Sequence, residues 1–104
     1  MKILWSPTAM RHFANWIGYI AEDSPQSAKR ERTKILKAAS RLKKFPRSGR
    51  MVPEFGNPFL REIIKKPIRI IYRVQPKTVE ILALHHSRRE FNKELFLTNT
   101  SPHE

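Results

Sequence analysis

The chain of 104 residues is predicted to be a single α+β domain with the element order β-α-α-β-β-β. Two Ser-Pro pairs, Ser6-Pro7 and Ser24-Pro25, each precede a segment whose apolar residues recur at helical spacing. Three strand-like apolar runs, separated by tight turns, follow in residues 60–85. Together these observations predict a two-helix antiparallel hairpin packed on one face of an antiparallel sheet.

The first two elements come from a short apolar run and the capped helix that follows it. Residues 2–5 are interpreted as the first strand. Ser6 can cap free N–H groups of the helix, and Pro7 stands where its missing N–H has no cost. The predicted apolar stripe of this helix comprises Met10, Phe13, Ile17 and Ile20, flanked by Ala9 and Trp16. This stripe is expected to face the sheet.

The second helix is predicted to be amphipathic and strongly basic. Its apolar stripe comprises Ala28, Ile35, Ala39 and Leu42. Most remaining positions carry Lys29, Arg30, Arg32, Lys34, Lys37, Arg41, Lys43 and Lys44. Residues 47–59 contain two glycines and two prolines, which predict an ordered loop instead of a helix or a central strand.

The second half of the chain is predicted to form a three-stranded meander. The strands are expected over residues 60–66, 68–74 and 79–85. Alternation in the middle strand gives an inner face of Ile68, Ile70, Tyr72 and Val74. The outer face carries Arg69, Ile71 and Arg73, and we expect it to be open and cationic.

Composition narrows the function classes before any motif is considered. The formal net charge is +12, which favours an anionic partner such as nucleic acid or an acidic protein over a merely solvated surface. The absence of cysteine excludes disulfides, a thiolate nucleophile and a Cys-ligated zinc site. No signal-peptide or membrane-spanning pattern is evident, so a soluble cytoplasmic protein without a membrane partner is expected. Residues 98–104 are predicted to be a flexible tail after a domain of residues 1–97.

Four segments in order carry a family resemblance: G-R-M-V-P-E at residues 49–54, R-E-I-I at 61–64, I-R-I-I-Y-R-V at 68–74 and L-H-H-S-R-R at 84–89. With the element order, they resemble the RelE/ParE superfamily of toxins from bacterial type II toxin–antitoxin modules. The first two segments look more like the ParE side. The resemblance implies a small toxin held inactive by an acidic cognate antitoxin, with no metal and no other cofactor.

The resemblance leaves two activities open. RelE-like members cut messenger RNA in the ribosomal A site without a metal, which requires a base, cations around the phosphate and an acid. ParE-like members inhibit DNA gyrase by binding it and are not enzymes. A free-standing basic nucleic-acid-binding module is a third hypothesis, based on the charge of the second helix.

Arg69 and Glu54 are two of the residues that the nuclease alternative would use. Arg69 resembles the phosphate-stabilising arginine of the nuclease branch, and its structural alternative is an ion pair with Glu62 or Glu80. Glu54 falls near the position of a glutamate base in one nuclease subgroup. We favour instead a structural carboxylate bonded to Arg50 or Arg61, whose lowered pKa would make it a poor base.

The end of the last strand supplies the remaining nuclease candidates. His85 and His86 are expected on opposite faces, and His86 is the better match to a leaving-group acid, since imidazole titrates near neutral pH. A strand-end histidine that caps backbone carbonyls is the commoner alternative. Arg88 and Arg89 lie close to an arginine that the nuclease branch uses after this strand, and antitoxin contact is their alternative role.

Departures from the nuclease pattern favour the gyrase-binding branch. Some nucleases carry two alternating lysines on the strand before the Arg69 position, whereas Leu60-Arg61-Glu62 occupies that region here. We therefore predict a ParE-like inhibitor of gyrase, with the ribosome and its mRNA as the alternative target. The residues predicted to bind the target or the antitoxin are Arg61, Arg73, Arg88 and Phe91.

Overall fold

A computed structural model describes residues 1–86 of the chain. Its elements are β1 Lys2–Trp5, α1 Pro7–Asp23, α2 Pro25–Ser40, a 3-10 helix at Arg41–Lys43, β2 Arg50–Met51, β3 Leu60–Lys65, β4 Ile68–Val74 and β5 Thr78–His86. The predicted α+β class and element order are confirmed. The structure adds one strand, β2, at the edge of the sheet within the predicted loop. The predicted tail, residues 98–104, lies outside the described residues.

The five strands form one sheet in the order β1-β5-β4-β3-β2. The meander is antiparallel as predicted, but β1 runs parallel to β5, with Lys2 opposite Thr78 and Trp5 opposite Ile81. The sheet is therefore mixed and not wholly antiparallel. A parallel pair requires a long connection, which the helical hairpin and the meander provide here between the first and last strands.

Both predicted helix starts are confirmed by their capping hydrogen bonds. The backbone N–H of Ala9 donates to Ser6 Oγ over 3.0 Å, and that of Ser27 donates to Ser24 Oγ over 3.1 Å. Ser6 also donates from its N–H to the carbonyl of Ile81 at 2.9 Å and from its Oγ to that of Leu82 at 3.0 Å. These bonds join the start of α1 to β5.

The helices cover the inner face of the sheet in a single main core. The predicted stripe of α2 is buried, and its members Ile35, Ala39 and Leu42 pack with the predicted inner residues of β4, namely Ile68, Ile70, Tyr72 and Val74. The stripe of α1 was predicted wrongly at one position: Met10 is 58% exposed, whereas Ala9 is fully buried. The bonds made by Ser6 set the rotation of α1 and turn Ala9 towards the sheet.

A second, smaller apolar cluster lies on the outer face. It consists of Val52, Leu60, Ile71, Leu82 and Ala83, with Phe55 packed against it. The expectation of an open outer face is therefore wrong over this area, because residues 52–55 of the loop fold back across the sheet. Within residues 1–86, no helix is both long and apolar enough to cross a membrane.

Candidate functional site

The outer face carries an ion network of four residues: Arg50, Glu54, Glu62 and Arg69. Glu62 is almost fully buried, and its Oε2 accepts from Arg50 Nε at 2.5 Å while its Oε1 accepts from Arg69 Nε at 2.6 Å. The two terminal nitrogens of Arg69 donate to the Glu54 carboxylate at 3.2 and 3.0 Å. Arg69 is thereby held between two carboxylates, and its side chain is 14% exposed.

Strand register and loop path together build this outer ion network. Arg50 on β2 lies directly opposite Glu62 on β3, and Arg69 on β4 is opposite Ile64, two residues further along β3. The N–H groups of Phe55 and Gly56 donate to the carbonyl of Val52. Gly56 adopts a positive φ of 61°, a conformation that favours glycine. The resulting turn brings Glu54 over Arg69.

A buried contact between Gly49 and Tyr72 sets the position of β2. The Gly49 N–H donates to the Tyr72 hydroxyl over 3.0 Å, and the Tyr72 side chain is fully buried. A Cβ at position 49 would lie 2.5 Å from the Glu62 carbonyl oxygen and 2.7 Å from the Tyr72 hydroxyl, so only glycine fits. Burial also raises the pKa of Tyr72.

The electrostatics of the network keep Glu54 ionised. Hydrogen bonds from Arg69 lower the pKa of the Glu54 carboxyl, and they outweigh the opposing effect of its burial. Burial disfavours the charge on Arg69, but the hydrogen bonds to Glu54 and Glu62 outweigh it and raise the pKa of Arg69. Glu54 was expected to pair with Arg50 or Arg61; it forms an ion pair with Arg69, and Arg50 contributes a smaller electrostatic effect that also lowers its pKa. The alternative expectation of an Arg69–Glu62 pair is confirmed.

Arg73 lies on the outer face, as predicted, and is also paired. Its Nη2 donates to Glu80 Oε1 at 2.6 Å, and its side chain is 27% exposed. Its buried Nε has no hydrogen-bond partner in the described part of the chain. The expected open, cationic face is therefore not found at Arg69 or Arg73, because each meets a carboxylate from a neighbouring strand or loop.

A β-bulge decides where the two histidines lie. Tyr72 is opposite Ile81 and Ile71 is opposite Ala83, so Leu82 is the extra residue on β5. Beyond the bulge, His85 lies opposite Arg69 on the outer face. His86 lies on the helix side, where its ring makes an edge contact with Trp16 at 5.2 Å.

The predicted combination of His86 with Arg69 is consequently not assembled, because the two residues lie on opposite faces of the sheet. His85 is the histidine in register with Arg69, although the sequence favoured His86. A signal was present in the four consecutive apolar residues 81–84, which break the alternation of a regular strand.

Arg61 is separate from the outer network. It lies opposite Tyr72, so it belongs to the helix side of the sheet, and it donates to the carbonyls of Pro58 at 3.0 Å and Gly49 at 2.9 Å. These bonds brace both ends of the loop before β3. The other predicted site residues, Arg88, Arg89 and Phe91, lie outside the described residues.

Two exposed aromatic side chains lie near Arg47, which follows the basic helix. Phe45 and Phe59 are 54% and 50% exposed, and the guanidinium carbon of Arg47 lies 5.5 Å from the centre of the Phe59 ring. A shallow groove at Phe45 is lined by Arg41, Phe45, Pro46, Arg47 and Ser48. This aromatic groove combines apolar surface with two cations. Among residues 1–86, no three His, Cys, Asp or Glu side chains are grouped to hold a metal ion.

Comparison with known protein families identifies the chain. The family described as "ParE toxin of type II toxin-antitoxin system, parDE" matches residues 3–91. The chain belongs to the ParE toxin family. A search of curated protein sequences gave no significant match.

A solved structure supports the fold of this ParE family member. The structure titled "Chromosomal ParDE TA system from P. aeruginosa" superposes with a TM-score of 0.68. The similarity covers 83% of this chain and 95% of the other, at 20% sequence identity. The two segments that resemble the ParE side most, residues 49–54 and 61–64, contribute Arg50, Glu54 and Glu62 to the outer ion network.

Proposed function

We propose that this ParE-family protein is the toxin of a type II toxin–antitoxin pair, that it inhibits DNA gyrase by binding it, and that an acidic antitoxin neutralises it. The observation that carries the choice of target is the position of Arg69 between Glu54 and Glu62. Inhibition by binding requires no catalytic group. The cytoplasm, where gyrase and DNA meet, is the expected site of action.

The state of Arg69 and Glu54 argues against RNA cleavage. Stabilising a phosphorane-like transition state requires cationic donors that reach the phosphate oxygens. Here three nitrogens of Arg69 already donate to carboxylates, one of which is fully buried. A phosphate would have to displace these partners and leave the buried Glu62 carboxylate with one of its two arginines, Arg50, which is costly. The lowered pKa of Glu54 also makes it a poor proton acceptor near neutral pH.

The antitoxin proposal is supported by charge and by exposed apolar surface. A net charge of +12 attracts an acidic segment, and the aromatic groove gives apolar side chains of such a segment a place to pack beside Arg41 and Arg47. Arg73 is proposed to contact the target, because it lies on the outer face with 27% of its side chain exposed. Arg61, Arg88 and Phe91 remain predictions for target or antitoxin contact.

One observation favours the alternative target, the ribosome with its mRNA. The register of β4 and β5 places His85 opposite Arg69. If Arg69 were released from Glu54 and Glu62, His85 could act as the proton donor beside the phosphate-stabilising Arg69. In that case Arg69→Ala and His85→Ala would both abolish mRNA cutting. His86→Ala tests, in the same assay, the histidine that the sequence favoured.

A paired assay tests the proposal. Purified protein should inhibit supercoiling by gyrase and trap cleaved DNA with it, while leaving mRNA on translating ribosomes intact. Arg73→Ala should weaken gyrase inhibition, and Arg11→Ala, an exposed change on α1, is the matched control. Inactivity on gyrase together with A-site cleavage would reject gyrase as the target and support the alternative.

A further inference from the structure

The positive charge of this protein is concentrated in one part of the chain. Residues 24–53 contain ten Lys or Arg and a single acid, Glu31, which gives a formal charge of +9 against +12 for all 104 residues. Most of these cations belong to α2 and to the 3-10 helix that continues it. Of these helical cations, the function proposed above uses only Arg41, at the aromatic groove.

Five of the cations form one row along the helix, here called the α2 basic stripe. Its members, separated by four, three, four and three residues, are Arg30, Lys34, Lys37, Arg41 and Lys44. This spacing keeps side chains on one helical face. Right-handed helical dihedrals continue through Arg41 and Lys44, so the row extends beyond the end of α2. At 1.5 Å per residue, it spans about 21 Å.

The stripe is exposed and fixed in direction. Four members are exposed, and the side chain of Lys34 is 40% exposed. The opposite side of the helix is anchored in the main core by Ile35, Ala39 and Leu42, each at most 2% exposed. The helix cannot rotate without exposing these residues, so the cations face outwards in a rigid row.

The one acid of the helix, Glu31, pairs with a single member of the row, Lys34, whose Nζ also donates to the carbonyl of Lys66 at 3.0 Å. Glu31 accepts a hydrogen bond from Trp16 Nε1 at 2.9 Å, and its side chain is 12% exposed. Its other oxygen lies 2.8 Å from Lys34 Nζ. Because Trp16 belongs to α1, the carboxylate is held in the groove between the two helices and away from the exposed face.

The chemistry of this face matches a uniform polyanion better than a protein. Protein interfaces have an apolar centre and contain little lysine. Of the large hydrophobic side chains that are exposed within residues 1–86, none comes from α2. Exposed Thr33 and Ser40 lie between the cations of the row, where their hydroxyls can donate to phosphate oxygens.

We propose that the α2 basic stripe binds the phosphate backbone of duplex DNA without reading its sequence. A rigid row of cations suits the regular phosphates of a duplex, whereas single-strand binders place aromatic rings among their cations. This activity goes beyond gyrase inhibition and does not depend on it. If gyrase is the target, the stripe would hold the toxin on the DNA that gyrase is processing.

Fluorescence anisotropy with a labelled 20-base-pair duplex of mixed sequence tests the proposal without gyrase. Because Lys34 is already paired with Glu31, four phosphate contacts are expected, and log K should fall with log salt with a slope of about −3.6. Lys37→Gln/Arg41→Gln should reduce this slope by about 1.8 and weaken binding at 100 mM salt by at least about tenfold. Arg30→Gln/Lys44→Gln should reduce the slope and the affinity by similar amounts. Agreement between the two double variants would show that the loss does not come from a local folding defect in the first.

The matched control is Arg11→Gln/Lys77→Gln, which also removes two exposed cations but lies on α1 and at the β4–β5 turn. Each pair lowers the net charge by two, from +12 to +10. Equal weakening by control and stripe pairs would show that net charge alone acts, and would overturn the proposal. Tighter binding to a single strand, or competition by polyglutamate as strong as by duplex DNA, would also overturn it.

Discussion

Arg69 and Glu62 form an ion pair across β4 and β3, with Arg69 Nε 2.6 Å from Glu62 Oε1 and the Glu62 side chain fully buried. Arg50 and Glu54 complete the network from β2 and the loop. The alternation of β4 predicted that Arg69 would face outwards and bind an external anion. In the structure, Arg69 instead links the sheet to the loop that covers it.

Replacing the buried acid should be strongly destabilising. Glu62→Gln leaves Arg50 without its carboxylate and Arg69 with one of its two, so we expect a loss of about 3 kcal/mol in the free energy of unfolding. Urea denaturation of the variant and the wild type measures it. Glu22→Gln, an exposed change on α1, should stay within about 0.5 kcal/mol. A similar small effect for Glu62→Gln would mean that the network adds no stability.

The Glu54–Arg69 pair should make stability depend on acidic pH. The pKa of Glu54 is lower in the folded chain than its ordinary value of 4.5, so the contribution is complete above that value. It is lost as the pH falls through the lower folded pKa. Because the Glu54 side chain is 35% exposed, we expect less than about 1 kcal/mol.

The measurement compares wild type with Glu54→Gln in urea unfolding from pH 7 to pH 3. The stability difference should be constant down to about pH 5 and shrink below it. A difference that is unchanged at pH 3 would contradict the assignment, because it could not arise from the ionised carboxylate.

Two glycines should respond to alanine in opposite directions. Gly49→Ala places a methyl group against the Glu62 carbonyl and the Tyr72 hydroxyl, and we expect a loss of about 2–3 kcal/mol. At Gly18, within α1, an added Cβ would meet no atom within 4 Å, so Gly18→Ala should stabilise by about 0.5–1 kcal/mol. Thermal unfolding of both variants measures the two stability changes. Stability changes of the same sign in both variants would contradict the prediction.

The hydroxyl of Tyr72 should matter more than its position in an apolar core suggests. Tyr72→Phe removes the acceptor for the buried Gly49 N–H, which should cost about 1–3 kcal/mol. Tyr19→Phe serves as the control, because Tyr19 is 68% exposed. Hydrogen exchange at the Gly49 amide, faster in Tyr72→Phe than in wild type, would locate the effect. Unaltered exchange there would count against the bond.

Local sequence signals were sufficient for the elements and their buried faces. Ser6 and Ser24 cap the helices as predicted, and the inner residues of β4 are in the core. These features depend on residues that are neighbours along the chain or recur at a fixed period. The segments around Gly49 and Arg61 likewise indicated the ParE side, which the family match confirms.

The partners of charged residues and the direction of the histidines were decided by the tertiary structure. Arg69 meets Glu54, fifteen residues away, because Gly56 turns the loop back over the sheet. One extra residue, Leu82, directs His86 to the helices and His85 to the outer face. The helix-side position of Arg61 and the parallel pairing of β1 also depend on register.

The sequence by itself thus determined the elements, their apolar faces, the excess of positive charge and the family. The tertiary structure alone decided which cations are neutralised and which remain exposed. The physical reason is the distance along the sequence over which each interaction acts. Helix capping and periodic burial depend on residues close together in sequence, whereas an ion pair forms only where strand register and loop path bring distant residues within about 3 Å. The tertiary structure therefore places Arg69 between two carboxylates and leaves the α2 basic stripe facing outwards.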